Sequence, residues 1–172
     1  PFIALFAVSL VISNLTSQLR YPAVVANYRE KRSRALYDLG KQLASTLTSD
    51  HIVEISTSHL SGVFQSKIAI VLPDSKDMLH EQQTDLANNQ LAKIDIGIAQ
   101  WVYDHQEEAG LGTNTLPSSP QLYLPLKAPM RTRGVLAIEP ATLSQTFLPE
   151  QRQLLDTFAA QIGLALERVH YV

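Results

Sequence analysis

Leu122-Tyr123-Leu124-Pro125-Leu126, then Met130-Arg131-Thr132-Arg133, then Gly134-Val135-Leu136-Ala137-Ile138-Glu139 read as strand, turn and partner strand of one hairpin. Pro125 offers no N–H, which suits an edge position or a bulge. Upstream, Lys67-Ile68-Ala69-Ile70-Val71-Leu72 is a short β-branched run closed by Pro73-Asp74, a third strand and its turn. Met78 to Gln82 is a weaker candidate for a fourth, and the polar stretch from Asp85 to Lys93 reads as a loop. Between that loop and the hairpin, Asp95 to Glu108 has helical spacing, with Ile98, Trp101 and Val102 inward and Gly110 as its terminator. Hairpin-linked strands with helices at both ends predict an α+β domain, an antiparallel sheet with flanking helices on one face.

Those flanking helices are long. From Ala23 to Leu47, Leu36, Leu39, Leu43 and Leu47 recur at three and four, one apolar stripe. Thr48-Ser49-Asp50 interrupts it and offers caps for a second helix with Ile52, Ile55, His59, Leu60 and Val63, ending near Gly62. His59 reads as a core histidine. At the other end, Leu148-Pro149-Glu150 starts a helix in which Leu155, Phe158, Ile162, Ala165, Val169 and Val172 alternate at three and four. This heptad seam is expected to meet a second chain, the alternative being a single wide core stripe. Leu154, Leu164 and Leu166 lie off the seam, so more than one side is apolar.

The N-terminus is of a different character. Pro1 to Leu19 contains no charged residue and begins PFIALFAVSLVI, close to the roughly 20 apolar residues of a membrane span. Arg20, Arg29, Lys31, Arg32 and Arg34 follow, against a single Glu30. Basic flanks stay cytoplasmic, so residues after about 20 are expected in the cytosol of a chain held in the inner (cytoplasmic) membrane. The same cluster can rest on anionic lipid. The chain opens in mid-run at Pro1, and it is expected to be a piece of a longer protein.

Composition narrows the function. A formal net charge of -2 over 172 residues argues against nucleic acid as a partner. With no cysteine there is no thiol nucleophile, disulfide framework or thioether-attached chromophore. The five histidines are scattered without metal-site spacing, and Glu107 and Glu108 diverge by about 100° on a helix. No catalytic residue, metal ligand or cofactor is expected in this chain.

Several segments carry a resemblance. Arg29-Glu30-Lys31-Arg32-Ser33-Arg34-Ala35-Leu36-Tyr37, Gln100-Trp101-Val102-Tyr103-Asp104-His105, Ala109-Gly110-Leu111-Gly112-Thr113-Asn114-Thr115-Leu116-Pro117 and Glu150-Gln151-Arg152-Gln153-Leu154-Leu155-Asp156-Thr157-Phe158-Ala159 occur in family order. Together with the hairpin, they resemble the GAF region after the last membrane span of the KdpD family of potassium-responsive sensor histidine kinases. The resemblance implies the end of a transmembrane helix (1–20), a basic juxtamembrane segment and connecting helix (21–47), a GAF-like core (48–148) and a signalling helix towards a kinase (149–172). It further implies a homodimer through the terminal helices, a kinase domain in cis using ATP and magnesium, a response regulator reached through it, and control of potassium uptake. The alternative is a GAF module that senses a small molecule or ion in another signalling protein. By analogy with GAF ligand sites, Trp101, Tyr103, Gly110, Gly112, Thr113, Asn114, Thr115 and Tyr123 are the candidate binding residues.

Overall fold

The computed structural model describes residues 29–80, 94–141 and 147–170. The chain divides into two compact units, Pro1–Asp38 and Leu39–Val172. In the first, residues 29–38 are helical, and Arg34 approaches Glu30 at 3.8 Å one turn away. Arg29, Lys31 and Arg34 are exposed and Arg32 is half-buried. Arg20 and the expected span lie outside the described residues, among which no helix is long and apolar enough to cross a membrane.

The second unit is built on a four-stranded antiparallel sheet, order β1-β4-β3-β2: β1 (Ser66–Val71), β2 (Ala109–Gly110), β3 (Leu122–Lys127) and β4 (Thr132–Pro140). The hairpin forms as expected, β3 against β4, with Leu124 opposite Leu136. Its turn lies earlier than read: Ala128 N–H donates to the Arg131 carbonyl, and Thr132 and Arg133 already belong to β4. Pro125 pairs with Val135 but Lys127 with Thr132, so β4 carries one extra residue there, a bulge. Pro125 thus sits beside the bulge, and its other side is open because β2 pairs only with Leu122 and Tyr123.

The fourth strand is a correction. Leu79 makes only an isolated bridge to Pro73, and the sheet instead takes Ala109–Gly110. Gly110 therefore does not cap a helix. It has φ +94, and a Cβ there would stand 2.0 Å from the Gln121 carbonyl oxygen, so only glycine lets β2 approach β3. The preceding helix α3 (Ile96–His105) begins at Asp95, whose carboxylate accepts the N–H groups of Gly97 and Ile98, and stops at Gln106 in the left-handed region.

Helix α1 covers residues 29–44. Leu39 and Leu43 are buried as expected, but Leu47 is 80% exposed. The helix ends earlier because Ser45 and Thr46 hydroxyls donate back to the Gln42 carbonyl, satisfying an acceptor that the next turn would have used. α2 (Ser49–Phe64) continues past Gly62 to a left-handed Gln65 and buries Ile52, Ser56, Thr57 and Leu60. Val63, expected on the stripe, is 38% exposed. α4 (Pro149–His170) starts at the expected proline.

Helices cover both faces of the sheet rather than the one face expected, so it separates two apolar layers. On one face α3 closes over Val71, Tyr123, Val135 and Ala137 with Ala99, Val102 and Tyr103. On the other lie α2 and α4: Phe158 is wholly buried, edge-on to His59 at 5.8 Å and to Phe64 at 6.0 Å between ring centroids. Leu155 and Ile162 are likewise fully buried, and Ala165 nearly so. The face expected to meet a second chain is therefore already covered within one chain. Of the seam residues only Val169 is half-exposed, and Val172 lies outside the described residues.

Candidate functional site

The eight residues expected to form one site are distributed over three places. Tyr103 and Tyr123 are buried in the α3 layer. Trp101 packs beside them but is only half-buried, its indole stacked on His105 with ring centroids 4.2 Å apart. It is an edge residue of the layer rather than its centre, because Val102 and Tyr103 occupy the inward positions. Thr113, Asn114 and Thr115 border a cleft of about 580 Å³ with Glu107, Lys127 and Asp156. Gly112 lines a separate recess with Phe147 and Arg152.

The Gly110–Thr115 loop is largely self-satisfied. Gly110 N–H donates to the Thr115 carbonyl at 2.8 Å, and Thr113 N–H to the Gly110 carbonyl at 3.1 Å. Thr113 Oγ1 lies 2.8 Å from both carbonyls. Gly112 has φ +74, so both glycines serve the turn. In the cleft the Asp156 carboxyl is held above its usual value, chiefly because it is partly withdrawn from water, against the opposing pull of Arg152.

The polar atoms of the α3 layer form two chains of contact that sequence reading missed. Tyr123 Oη accepts the Asp95 N–H at 3.0 Å and donates to Gln121 Oε1. Gln121 Nε2 donates to Glu139 at 3.0 Å, and Glu139 faces Lys67 at 3.5 Å. A polar chain thus runs from the α3 cap across β3 and β4 to β1. Tyr103 Oη donates to Asp77 Oδ1 at 3.0 Å, which also takes Arg131 Nη1 at 3.1 Å. Nothing in residue spacing joins Asp77 to Tyr103, since the two come from different elements.

Desolvation is the first cause that raises both tyrosines above 10, aided at Tyr103 by the hydrogen bond to Asp77. Their protonated forms are favoured by folding. The stability they contribute is complete below the unfolded value near 10 and is lost as pH rises through the folded values. In an alkaline absorbance titration of the six tyrosines, two should ionise late. Tyr103→Phe and Tyr123→Phe should each remove one late phenol, and a single uniform phase in the parent chain would contradict the burial.

The remaining connections gather at the end of α4. Glu167 accepts Met130 N–H at 3.1 Å and pairs with Arg133 Nη2 at 3.3 Å; their side chains are 10% and 5% exposed. The extra residue in β4 puts Arg133 out of the regular alternation, which accounts for its reaching α4. The next residue, Arg168, donates to the carbonyls of Leu43, Ala44 and Thr46 at 2.6, 3.0 and 2.8 Å. Leu43 and Ala44 close the last turn of α1 and Thr46 follows it; the Leu43 carbonyl also accepts the Thr46 N–H at 3.2 Å. Among the described residues no group of three or more histidine, aspartate or glutamate side chains could hold a metal ion.

Comparison with known proteins places these features. The family model for the GAF domain matches residues 48–168. The sensor protein KdpD of Escherichia coli K12 is 40% identical over 169 residues, covering 98% of this chain and 18% of that protein. KdpD of Clostridium acetobutylicum is 25% identical, covering 97% of this chain and 19% of that one. The chain thus spans about a fifth of the length of these curated relatives. Among solved structures, the GAF domain of the E. coli potassium sensor histidine kinase KdpD matches with a TM-score of 0.73 and 34% identity, over 81% of this chain and 95% of that one. The GAF domain of an Acinetobacter phosphoenolpyruvate-protein phosphotransferase, at 16% identity and TM-score 0.62 over 83% and 96% of the two chains, shares the fold.

Proposed function

This chain belongs to the GAF domain family, and from that premise we propose that it is the cytosolic transmitting domain of a membrane-bound, dimeric sensor histidine kinase that controls potassium uptake. The likeness to KdpD along nearly the whole chain supports the parent. In this reading a membrane span precedes residue 21, and the basic residues from Arg20 to Arg34 lie at the cytoplasmic surface. A kinase follows α4 and brings the ATP and magnesium chemistry, passing a phosphoryl group to a response regulator. This domain performs no catalysis itself.

The observation that carries transmission is the grip of Arg168 on carbonyls at the end of α1 and just after it. α1 is the element nearest the membrane and α4 the one nearest the kinase. A guanidinium with three carbonyl partners fixes their ends together, so a displacement of one is felt by the other. The filled α3 layer, with Tyr123 fully buried and Tyr103 9% exposed, favours transmission over ligand sensing at the expected site. A second copy would meet the chain at the apolar groove of about 470 Å³ beside Gly40, Leu43, Ala44 and Leu164, where Leu164 is 57% exposed. The test is the potassium response of the full-length kinase carrying Arg168→Met.

A further inference from the structure

The cleft of about 580 Å³ beside Thr113, Asn114 and Thr115 exists because two of its walls are thin. β2 pairs only with Leu122 and Tyr123, so among the described residues β3 has no strand beside it on that edge from Leu124 onward. From α4, Asp156, Ala159 and Ala160 line the same space, at the three- and four-residue spacing that puts side chains on one helical face. The two alanines leave room that larger side chains would fill. Leu124, Pro125 and Ala159 are buried and give the cleft an apolar floor. Its volume is that of a site for a small organic molecule, more than a bare ion needs.

The charges around this floor are of both signs. Asp156 and Glu107 bring carboxylates and Lys127 an ammonium, all three within reach of solvent. Glu108 is taken by Arg152. Partial withdrawal from water holds the Asp156 carboxyl above its usual value, against the pull of Arg152 and Lys127. Asp156 and Lys127 thus sense each other across the cleft, yet they form no ion pair with one another. Opposite charges held apart over an apolar floor are the reverse image of a molecule with an ammonium, a carboxylate and hydrocarbon between them. Such a molecule gives each side chain a charge-assisted partner without the two having to meet. A simple cation would leave Lys127 without a counter-charge, and a simple anion would leave Asp156 without one.

We propose that this cleft binds a small zwitterion, an amino acid with a hydrocarbon body: its ammonium on Asp156 and Glu107, its carboxylate on Lys127, and its chain over Leu124, Pro125 and Ala159. Thr113, Asn114 and Thr115 then border a ligand against α4 rather than in the α3 layer. Asp156 lies on the same helix as Arg168, so an occupant adds a chemical input to α4. That consequence rests on the proposed transmitting role, whereas binding does not.

The probes are the straight-chain ω-amino acids from glycine to 6-aminohexanoate, with n-butylammonium and butyrate as single-charge controls. Each is titrated into the chain at neutral pH and followed by backbone amide NMR. At least one amino acid should give saturable shifts at Asn114, Lys127 and Asp156, with a dissociation constant at least about tenfold below those of both controls. Asp156→Asn and Lys127→Gln keep the size of two exposed side chains and remove one charge each. Each should weaken that amino acid by roughly tenfold, the size of one lost hydrogen bond to a charged group. Asp156→Asn should not weaken butyrate, and Lys127→Gln should not weaken n-butylammonium. A control that binds as tightly as the best amino acid would overturn the zwitterion in favour of a plain ion. No saturable shift with any amino acid, or affinity unchanged in both variants, would overturn the site. Kinase output enters none of these readings, so their failure leaves the transmitting role standing.

Discussion

Phe158→Ala should lower the unfolding free energy of the chain by about 3–5 kcal/mol, the range for removing a fully buried aromatic side chain. Phe158 lies at the centre of the layer between α4 and α2, against His59 and Phe64, and no part of it reaches solvent. Denaturant unfolding at two protein concentrations reads the effect. The loss should be the same at both, because the side chain packs inside one chain. A variant of unchanged monomer stability with a weakened dimer would mean that α4 turns this face outward.

Glu167→Ala should cost about as much, roughly 3–5 kcal/mol, because it leaves the Arg133 guanidinium buried without its carboxylate and the Met130 N–H without its acceptor. The informative comparison is the double variant Arg133→Met/Glu167→Leu. Replacing both partners by apolar side chains of similar size removes the buried charge altogether, and the double variant should be more stable than Glu167→Ala alone. If the two losses simply add, the pair is not coupled and the bulge that delivers Arg133 to α4 has no energetic role.

How far the sequence was legible depended on how much periodicity each element could display. The strands at 66–71 and 122–139 have enough β-branched and apolar residues to announce themselves, and Pro149 marks the start of α4. The two-residue β2 has no period to read. Its glycine looked like a helix terminator, whereas α3 ends one turn earlier on a non-glycine residue in the left-handed region. The misreading of α4 has a different origin. A 3.5-residue seam and a 3.6-residue core stripe drift apart by only about 20° per heptad, so over the 22 residues of this helix the two patterns are nearly the same. Only tertiary packing tells which is used, and here Leu155, Phe158 and Ile162 face the sheet and α2. The candidate site residues are dispersed for a similar reason. Trp101, Tyr103 and Tyr123 were chosen for their chemistry, yet the two tyrosines are core residues with one polar atom each to satisfy. Asp77, Gln121, Glu167 and Arg168 are polar residues whose long-range partners lie 18 to 125 positions away, and local spacing carries no trace of those connections. The family resemblance fared better, because it rests on several segments in order rather than on any one element.

The claim that the domain passes position from α1 to α4 rests on Arg168, an exposed residue whose stem can be kept while its donors are removed. The most direct measurement is autophosphorylation of the full-length kinase in membranes, at low and high potassium, with Arg168→Met. The account predicts that the variant folds, retains phosphorylating activity and no longer changes its rate with potassium. A variant whose rate responds to potassium as the parent does would contradict it.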